Sequence, residues 1–130
     1  MPPLVRLEYS EHFEKSLADV SCDNEQLVVR INRFIDWKEC GVTPAPAFSA
    51  DKPSGYRRNG RVGFRPFLDN GFRHCHLDIV GAEPLLVYRM LHDATMLRLV
   101  CIAMHAEMFD NKRLFFRKYR SEFPRTPRPR

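Results

Sequence analysis

The sequence lacks both a long apolar run and a closely spaced pair of cysteines, and each absence narrows the class of protein. No apolar segment approaches the ~20 residues that a helix needs to cross a bilayer, so we expect neither a membrane-spanning helix nor a membrane partner. The first residues, MPPLVRLEYSEHFEK, contain no apolar stretch of the kind found in secretory signals, and we expect a cytoplasmic protein. The four cysteines form no CxxC pair, which argues against a zinc knuckle or a thioredoxin-like motif, and we expect all four to be reduced.

Positive charge is distributed unevenly along the chain. Of the 130 residues, 44% are apolar, which is typical of one soluble globular domain. Residues 111–130 carry eight Lys or Arg against one acid, or +7, whereas residues 1–110 carry 13 basic and 15 acidic side chains, or −2. Such a basic arm favours a polyanionic partner, with binding that weakens as salt rises; a solvated tail that only aids solubility is the alternative. We assign 1–120 to a single domain and 121–130 to a Pro- and Arg-rich tail without regular structure.

Capping residues and apolar spacing predict a strand and two helices in the N-terminal part. Residues 5–9 alternate apolar and polar side chains, as half-buried strands do. Ser10 is a suitable N-cap, and the apolar residues that follow recur at helical spacing, which predicts a first helix over 10–19. A second helix is predicted over 24–40, with Gly41 at the position that C-cap glycines occupy.

The next segment, 42–60, contains three prolines and two glycines, which predicts a loop. Long loops in compact domains are often functional. This one carries three cations that can reach a phosphate backbone, namely Lys52, Arg57 and Arg58. A plain surface loop is the alternative.

Four later segments have the length and apolar content of strands: 61–67, 72–79, 85–91 and 96–103. Their links are short, including a hairpin signal at 69–71, so we expect an antiparallel meander. A short helix is predicted over 110–120. The predicted fold class is therefore α+β, with two N-terminal helices packed on one face of a mostly antiparallel four- to five-stranded sheet, then a short C-terminal helix and the basic tail. Too little chain remains to cover the other face, which we expect to be partly open.

Strand side chains alternate between the two faces of a sheet, and this alternation separates the polar residues from the apolar ones. The face away from the helices then carries two histidines, an aspartate and two arginines: His74, His76, Asp78, Arg89 and Arg98. In the last strand the set expected to face the helices is Leu97, Leu99, Cys101 and Ala103. His105 and Glu107 follow directly after that strand.

These side chains suit the cleavage of RNA. Such a reaction needs a base for the 2′-OH proton, an acid for the 5′-oxygen and cations for the phosphorane; histidine can be acid or base near neutral pH, and arginine binds phosphate. Phe109 can stack on an unpaired base. Three alternatives stay open: histidines with a structural role only, a metal-dependent hydrolase in which His74, His76 and His105 hold the ion, and an RNA- or ribosome-binding protein without catalytic activity.

Three segments of this region, HCHLD, LLVYR and HAEMF, resemble the C-terminal half of the RelE-superfamily toxins and in particular their YafQ branch. The resemblance implies a RelE-like domain and a toxin of a type II toxin–antitoxin system. Such toxins are ribosome-dependent endoribonucleases that cut mRNA in the ribosomal A site, without a metal or other cofactor. A cognate antitoxin protein neutralises them.

The resemblance also assigns roles to single residues. His76 matches the catalytic strand histidine, and His105 matches the histidine after the last strand, the expected general acid. Phe109 matches the aromatic residue beside the substrate base, and Arg89 occupies a position that is often basic near the phosphate. His74 stands where the YafQ branch has an acid, and it is a second candidate for the base. Further candidates for substrate binding are Arg98, Glu107, Arg73, Arg57 and Arg58.

Overall fold

The described part of the chain contains a five-stranded mixed sheet and five helices. The computed structural model describes residues 5–21, 24–44, 47–57, 59–79, 84–92 and 95–123. Its elements in chain order are β1 (Arg6–Tyr9), α1 (Glu11–Ser21), α2 (Glu25–Cys40), β2 (Ser49–Pro53), α3 (Arg65–Asp69), β3 (Phe72–His76), β4 (Pro84–Leu91), β5 (Met96–Met104), α4 (His105–Phe109), α5 (Lys112–Lys118) and a short 3-10 turn (Arg120–Glu122). The predicted α+β class is confirmed.

The sheet has the strand order β1-β5-β4-β3-β2. β1 runs parallel to β5, and the other neighbouring pairs are antiparallel. Helices α1 and α2 cover one face, where their buried residues Phe13, Ile31 and Phe34 pack with Leu86 and Tyr88 of β4. The predicted arrangement of two helices on one face of a mostly antiparallel sheet is therefore correct.

Both long helices begin where the local signals indicate, and α2 also ends there, whereas α1 extends to Ser21, two residues beyond the predicted end. Ser10 caps α1, since its Oγ accepts the Phe13 N–H at 2.9 Å. Asn24 caps α2 in the same way through the Leu27 N–H at 3.1 Å. At the other end of α2, Gly41 adopts a φ of 76°, a left-handed conformation that glycine takes without strain.

The prediction of a continuous loop over 42–60 is wrong, because Ser49–Pro53 forms the edge strand β2. This strand pairs antiparallel with β3, and its register is irregular between Ser49 and Lys52. Pro53 is the last residue of this edge strand, where a proline is tolerated because its missing N–H is not needed for pairing. Pro53 therefore marks the end of β2 and does not exclude a strand before it.

The predicted strand over 61–67 is also wrong. Arg65–Asp69 is helical, with Pro66 in the first turn, where proline needs no hydrogen-bonding N–H. The hairpin predicted at 69–71 is instead the link from α3 to β3. Gly71 has a φ of 68°, and a Cβ there would lie 2.5 Å from the Met90 carbonyl oxygen, so the link requires glycine.

The second face of the sheet is covered rather than open, which corrects our expectation. A second apolar cluster lies on this face, with Phe72, Leu85 and Val87 from the sheet and aromatic residues from α3 and the C-terminal elements: Phe67, Phe115, Tyr119 and Phe123. Phe123 stacks on Phe72 with ring centroids 4.5 Å apart. Phe123, which belongs to the segment predicted as a tail, packs in this cluster. Residues 124–130 of the predicted tail lie outside the described residues.

A bulge in β5 changes which side chains face the helices. Val87 pairs with Cys101 and Tyr88 with Leu99, so Val100 has no partner of its own in β4. An extra residue moves those that follow it to the opposite face. Cys101 and Ala103 accordingly pack in the second cluster, although alternation predicts them on the helix side. The chain then enters α4 above the second face.

The described residues bear on two expectations, the absence of a membrane-spanning helix and the reduced state of the cysteines. None of the helices there is both long enough and apolar enough to cross a bilayer. Cys40, Cys75 and Cys101 are free thiols, and burial raises the pKa of Cys75 and Cys101 to about 12, so both stay protonated. Cys22 lies outside the described residues.

Candidate active site

Four aromatic rings from two elements form a closed cluster, the histidine cluster, composed of His74, His76, His105 and Phe109. The ring centroids of His74 and His76 are 5.7 Å apart, and those of His76 and His105 are 5.8 Å apart. Phe109 closes the cluster at 4.8 Å from His105 and 4.9 Å from His74. The structure therefore brings together three of the predicted catalytic residues and the predicted base-stacking residue.

Strand register explains why these side chains meet. His74 and His76 are two residues apart in β3 and so share a face. His76 pairs with Leu85, which in turn pairs with Ala103 near the end of β5. α4 starts two residues later at His105, and Phe109 lies four residues on, on the same side of the helix.

His74 is the buried member of the cluster. Its side chain is 3% exposed, and its Nδ1 lies 2.9 Å from the Oγ of the buried Ser54. Burial lowers the pKa of His74 to about 4, and the positive charge of His76, Lys52 and His105 when protonated acts in the same direction. At neutral pH His74 is thus an uncharged imidazole that packs and positions its neighbours.

The stability of the folded protein should depend on pH through His74. Its folded pKa of about 4 lies below the ordinary value of 6.5, so the unfolded chain binds this proton more readily. The His74 contribution is complete above pH 6.5 and should fall by about 2–3 kcal/mol between pH 6.5 and 4. The free energies of unfolding of the wild type and His74→Gln, measured by urea denaturation across this pH range, isolate the His74 contribution. Parallel pH curves for the two proteins would contradict this reading.

His76 and His105 are half-buried, so solvent and a substrate can reach their rings. Glu107, a predicted substrate-binding residue, is exposed and accepts the Met104 N–H at 3.2 Å. It also lies 3.9 Å from Lys118. These contacts stabilise the start of α4 and hold His105 in place, which gives Glu107 a structural task beside the cluster.

Lys52 lies next to the histidine cluster, although the sequence reasoning assigned it to a loop. It pairs directly with His74 across β2 and β3, and opposite residues of an antiparallel pair share a face. Its exposed ammonium is the cation that β2 brings to the site. The signal that would have revealed it is the strand character of 49–53. Arg57 is exposed beyond β2, and Arg58 lies outside the described residues.

Arg89 and Arg98 do not lie with the histidines. Arg89 is 8% exposed and pairs with Arg98 across β4 and β5. Along β4 it lies four residues, or roughly 13 Å, from Leu85, which is the partner of His76. The Nε of Arg98 donates to both Glu122 carboxylate oxygens, and Arg89 Nη1 lies 3.8 Å from the same carboxylate. These contacts do not support the predicted phosphate contacts of the two arginines.

Arg73 points to the helix-covered face, away from the histidines. Its Nε donates to the Tyr88 hydroxyl at 3.1 Å, and its Nη2 lies 3.9 Å from the Asp51 carboxylate. Lys38 contacts Asp51 at 2.7 Å. The group forms a polar network between α2 and the sheet, so the placement does not support substrate binding by Arg73.

Asp78 was expected on the face of the histidines, but β3 ends at His76. Asp78 has a φ of 55° and lies 3.6 Å from the Arg30 guanidinium. Within the ranges that the structure describes, no group of three or more His, Cys, Asp or Glu side chains is arranged to hold a metal ion. The geometry therefore does not support His74, His76 and His105 as a set of metal ligands.

Comparison with solved structures finds chains from bacterial toxin structures. A chain of the E. coli DinJ–YafQ toxin–antitoxin complex is 20% identical, with a TM-score of 0.53 and coverage of 82% of this chain and 98% of that one. YafQ from E. coli strain BL21(DE3) is 22% identical, with a TM-score of 0.48 and coverage of 81% and 98%. A metal-bound toxin from Helicobacter pylori is 24% identical, with a TM-score of 0.48 and coverage of 81% and 99%.

The sequence matches no family model and no curated protein. The likeness to the chain of the DinJ–YafQ complex shows a shared fold, and it covers nearly all of that chain. The resemblance to YafQ that the motifs indicate is therefore confirmed at the level of the fold.

Proposed function

We propose that this protein is the toxin of a toxin–antitoxin system and cleaves RNA with His76 and His105 as its acid–base pair. The observation that carries the proposal is the 5.8 Å separation of these two half-buried imidazoles. Two rings at this distance can hydrogen-bond to two oxygens of one phosphodiester. The fold shared with the chain of the DinJ–YafQ complex supports the toxin class.

In the proposed reaction, His76 accepts the proton of the ribose 2′-OH as its oxygen attacks the neighbouring phosphorus. The bond from phosphorus to the 5′-oxygen breaks, and protonated His105 donates a proton to that oxygen as it leaves. The products are a 2′,3′-cyclic phosphate and a 5′-hydroxyl, and no oxidant or metal enters the balance. Lys52 supplies positive charge to the phosphorane, since β2 places it opposite His74.

His74 and Phe109 complete the site without transferring protons. Neutral His74 fills the space behind His76 and fixes its ring, and Ser54 holds His74 by a hydrogen bond of 2.9 Å. Phe109 is half-buried against His74 and His105, with part of the ring left for a substrate base. Stacking of a base there would bring the adjoining phosphodiester to the two catalytic histidines.

The proposed partners follow from the same reading. An antitoxin protein would neutralise the toxin, as the DinJ–YafQ complex pairs a toxin with an antitoxin. The substrate would be mRNA held in the ribosomal A site, in the cytoplasm. The histidine cluster has few cations of its own among the described residues. The proposed site therefore benefits from a ribosome that binds and orients the message.

The test is to induce the protein in bacteria and map new transcript 5′ ends. Wild type should arrest growth and cut within translated reading frames, whereas a reporter without a start codon should stay intact. The double variant His76→Ala/His105→Ala should do neither. His92→Ala is the matched control, because His92 is exposed in a turn outside the site.

Two results would count against the proposal. If wild type produces no new 5′ ends, cleavage is wrong, and salt-sensitive RNA binding without cleavage would favour the non-catalytic alternative. If the double variant still cuts at the same sites, the acid–base assignment is wrong.

A further inference from the structure

A concave cationic surface, the α5 surface, adjoins the histidine cluster and takes no part in its acid–base chemistry. One depression starts at Phe109 and is lined along α5 by Lys112, Arg113 and Arg117. Arg113 and Arg117 also line a second depression, whose other main lining residues are Phe64, Phe116 and Arg120. The two depressions share these arginines and form one path that leads away from the candidate active site.

The α5 surface carries a clear excess of positive charge. It has four cations, and the one acid that lines it is Asp110. In the part of the chain that the structure describes, the side chains of Arg113, Arg117 and Arg120 form no hydrogen bond or ion pair. Lys118, by contrast, lies near Glu107. Unpaired cations held close together attract a polyanion and are stabilised by it.

The second depression also offers aromatic surface. Phe64 and Phe116 are half-buried, and their ring centroids lie 6.4 Å apart. Phe116 packs against the buried Phe123, with ring centroids 4.6 Å apart. Rings fixed at a partly exposed position beside arginines are the arrangement on which unpaired bases stack while phosphates meet cations. This combination favours single-stranded RNA over an acidic peptide.

We propose that the α5 surface binds the single-stranded RNA that flanks the cleaved bond. Arg113, Arg117 and Arg120 contact successive phosphates, and a base stacks on Phe116. The inference rests on the proposed function, because that function puts the reacting phosphodiester at Phe109, where the path begins. α5 has seven residues and is ~10 Å long, which suffices for a few nucleotides.

The test measures binding of a fluorescein-labelled 2′-O-methyl RNA oligonucleotide, which has no 2′-OH and cannot be cleaved. The probe is titrated by anisotropy over a range of KCl concentrations. Each phosphate contact to a single strand contributes about 0.7 to the slope of log K against log salt. The variant Arg113→Gln/Arg117→Gln/Arg120→Gln should therefore have a slope smaller by about 2 and bind roughly 50-fold more weakly at ~0.15 M salt.

A matched control removes the same charge from exposed side chains that line neither depression, with Arg6→Gln/Lys15→Gln/Arg33→Gln. It should keep the wild-type slope, and Phe116→Leu should weaken binding at an unchanged slope. Equal slopes and affinities for the two triple variants would overturn the inference. Binding of polyglutamate to the wild type as tightly as the RNA would also overturn the inference. The binding test does not depend on cleavage, because the probe cannot be cleaved. If the probe binds as expected but the induced protein cleaves no transcript, only the proposed function is contradicted.

Discussion

Replacing His105 or His76 by alanine is expected to lower the rate of RNA cleavage by roughly 10²- to 10⁴-fold, the range typical of a lost general acid or base. His105 would otherwise donate the proton that lets the 5′-oxygen leave, and His76 would otherwise take the 2′-OH proton. Both rings are half-buried and 5.8 Å apart, so no other described histidine except the buried His74 lies in the cluster to replace them. The measurement is single-turnover cleavage of ribosome-bound message by purified protein.

The double variant should be little slower than either single variant. Groups that act as one unit lose most of their effect when the first is removed, so their rate losses do not multiply. A loss equal to the product of the two single losses would show that the histidines act independently, contrary to a shared acid–base mechanism.

Correct folding of these variants has to be established separately. His92→Ala, outside the site, should cleave at the wild-type rate. Because His76 packs beside His74 and His105, the variants are also compared by thermal unfolding. A rate loss of the expected size with a wild-type melting temperature would support the chemical roles. A loss that follows the drop in melting temperature would not.

Glu122→Ala should have the largest effect on stability, with a loss of about 3–5 kcal/mol in the free energy of unfolding. Glu122 is 3% exposed, and its carboxylate accepts the Arg98 Nε–H at 2.9 and 3.0 Å. Arg89, also buried, lies 3.8 Å from it. The Glu122 carboxylate raises the pKa of Arg98. Its removal takes the shared counter-ion from both arginines, so that Arg89 loses its carboxylate partner and Arg98 keeps only Glu8. The free energy is measured by urea denaturation.

Two further variants make this prediction specific. Glu122→Gln keeps one oxygen that can accept from Arg98, so it should cost less than alanine, although the charge is lost and the second oxygen becomes an NH2 donor. Asp69→Ala removes the partner of an exposed ion pair with Arg65 and should cost at most about 1 kcal/mol. If Glu122→Ala cost no more than Asp69→Ala, the contacts of the Glu122 carboxylate with Arg89 and Arg98 would not contribute to stability as proposed.

Most elements with strong local signals were predictable from the sequence. The caps at Ser10, Asn24 and Gly41 fixed both long helices, because capping depends on residues within one turn. β3, β4 and β5 follow from their apolar runs. Local reasoning was wrong at Pro53 and Pro66, since a proline is compatible with both the end of an edge strand and the first turn of a helix.

Features that depend on distant parts of the chain were not predictable. The bulge at Val100 arises from the pairing of two strands, and nothing in β5 alone marks it. The same is true of the arginines: Arg89 and Arg98 read as free cations until Glu122 is placed against them. The meeting of His76 and His105 was predicted from motifs, whereas the approach of Lys52 required the strand β2.

The parallel pairing of β1 with β5 has a consequence for the time course of synthesis. Contacts such as that between Ser10 and Val100 join residues 90 positions apart, so the sheet cannot close until β5 has been made. Closing so long a loop is slow compared with forming local helices. His105 is translated later still, well after the histidines of β3. During translation the histidine pair therefore stays unassembled until β5 and α4 have both been synthesised.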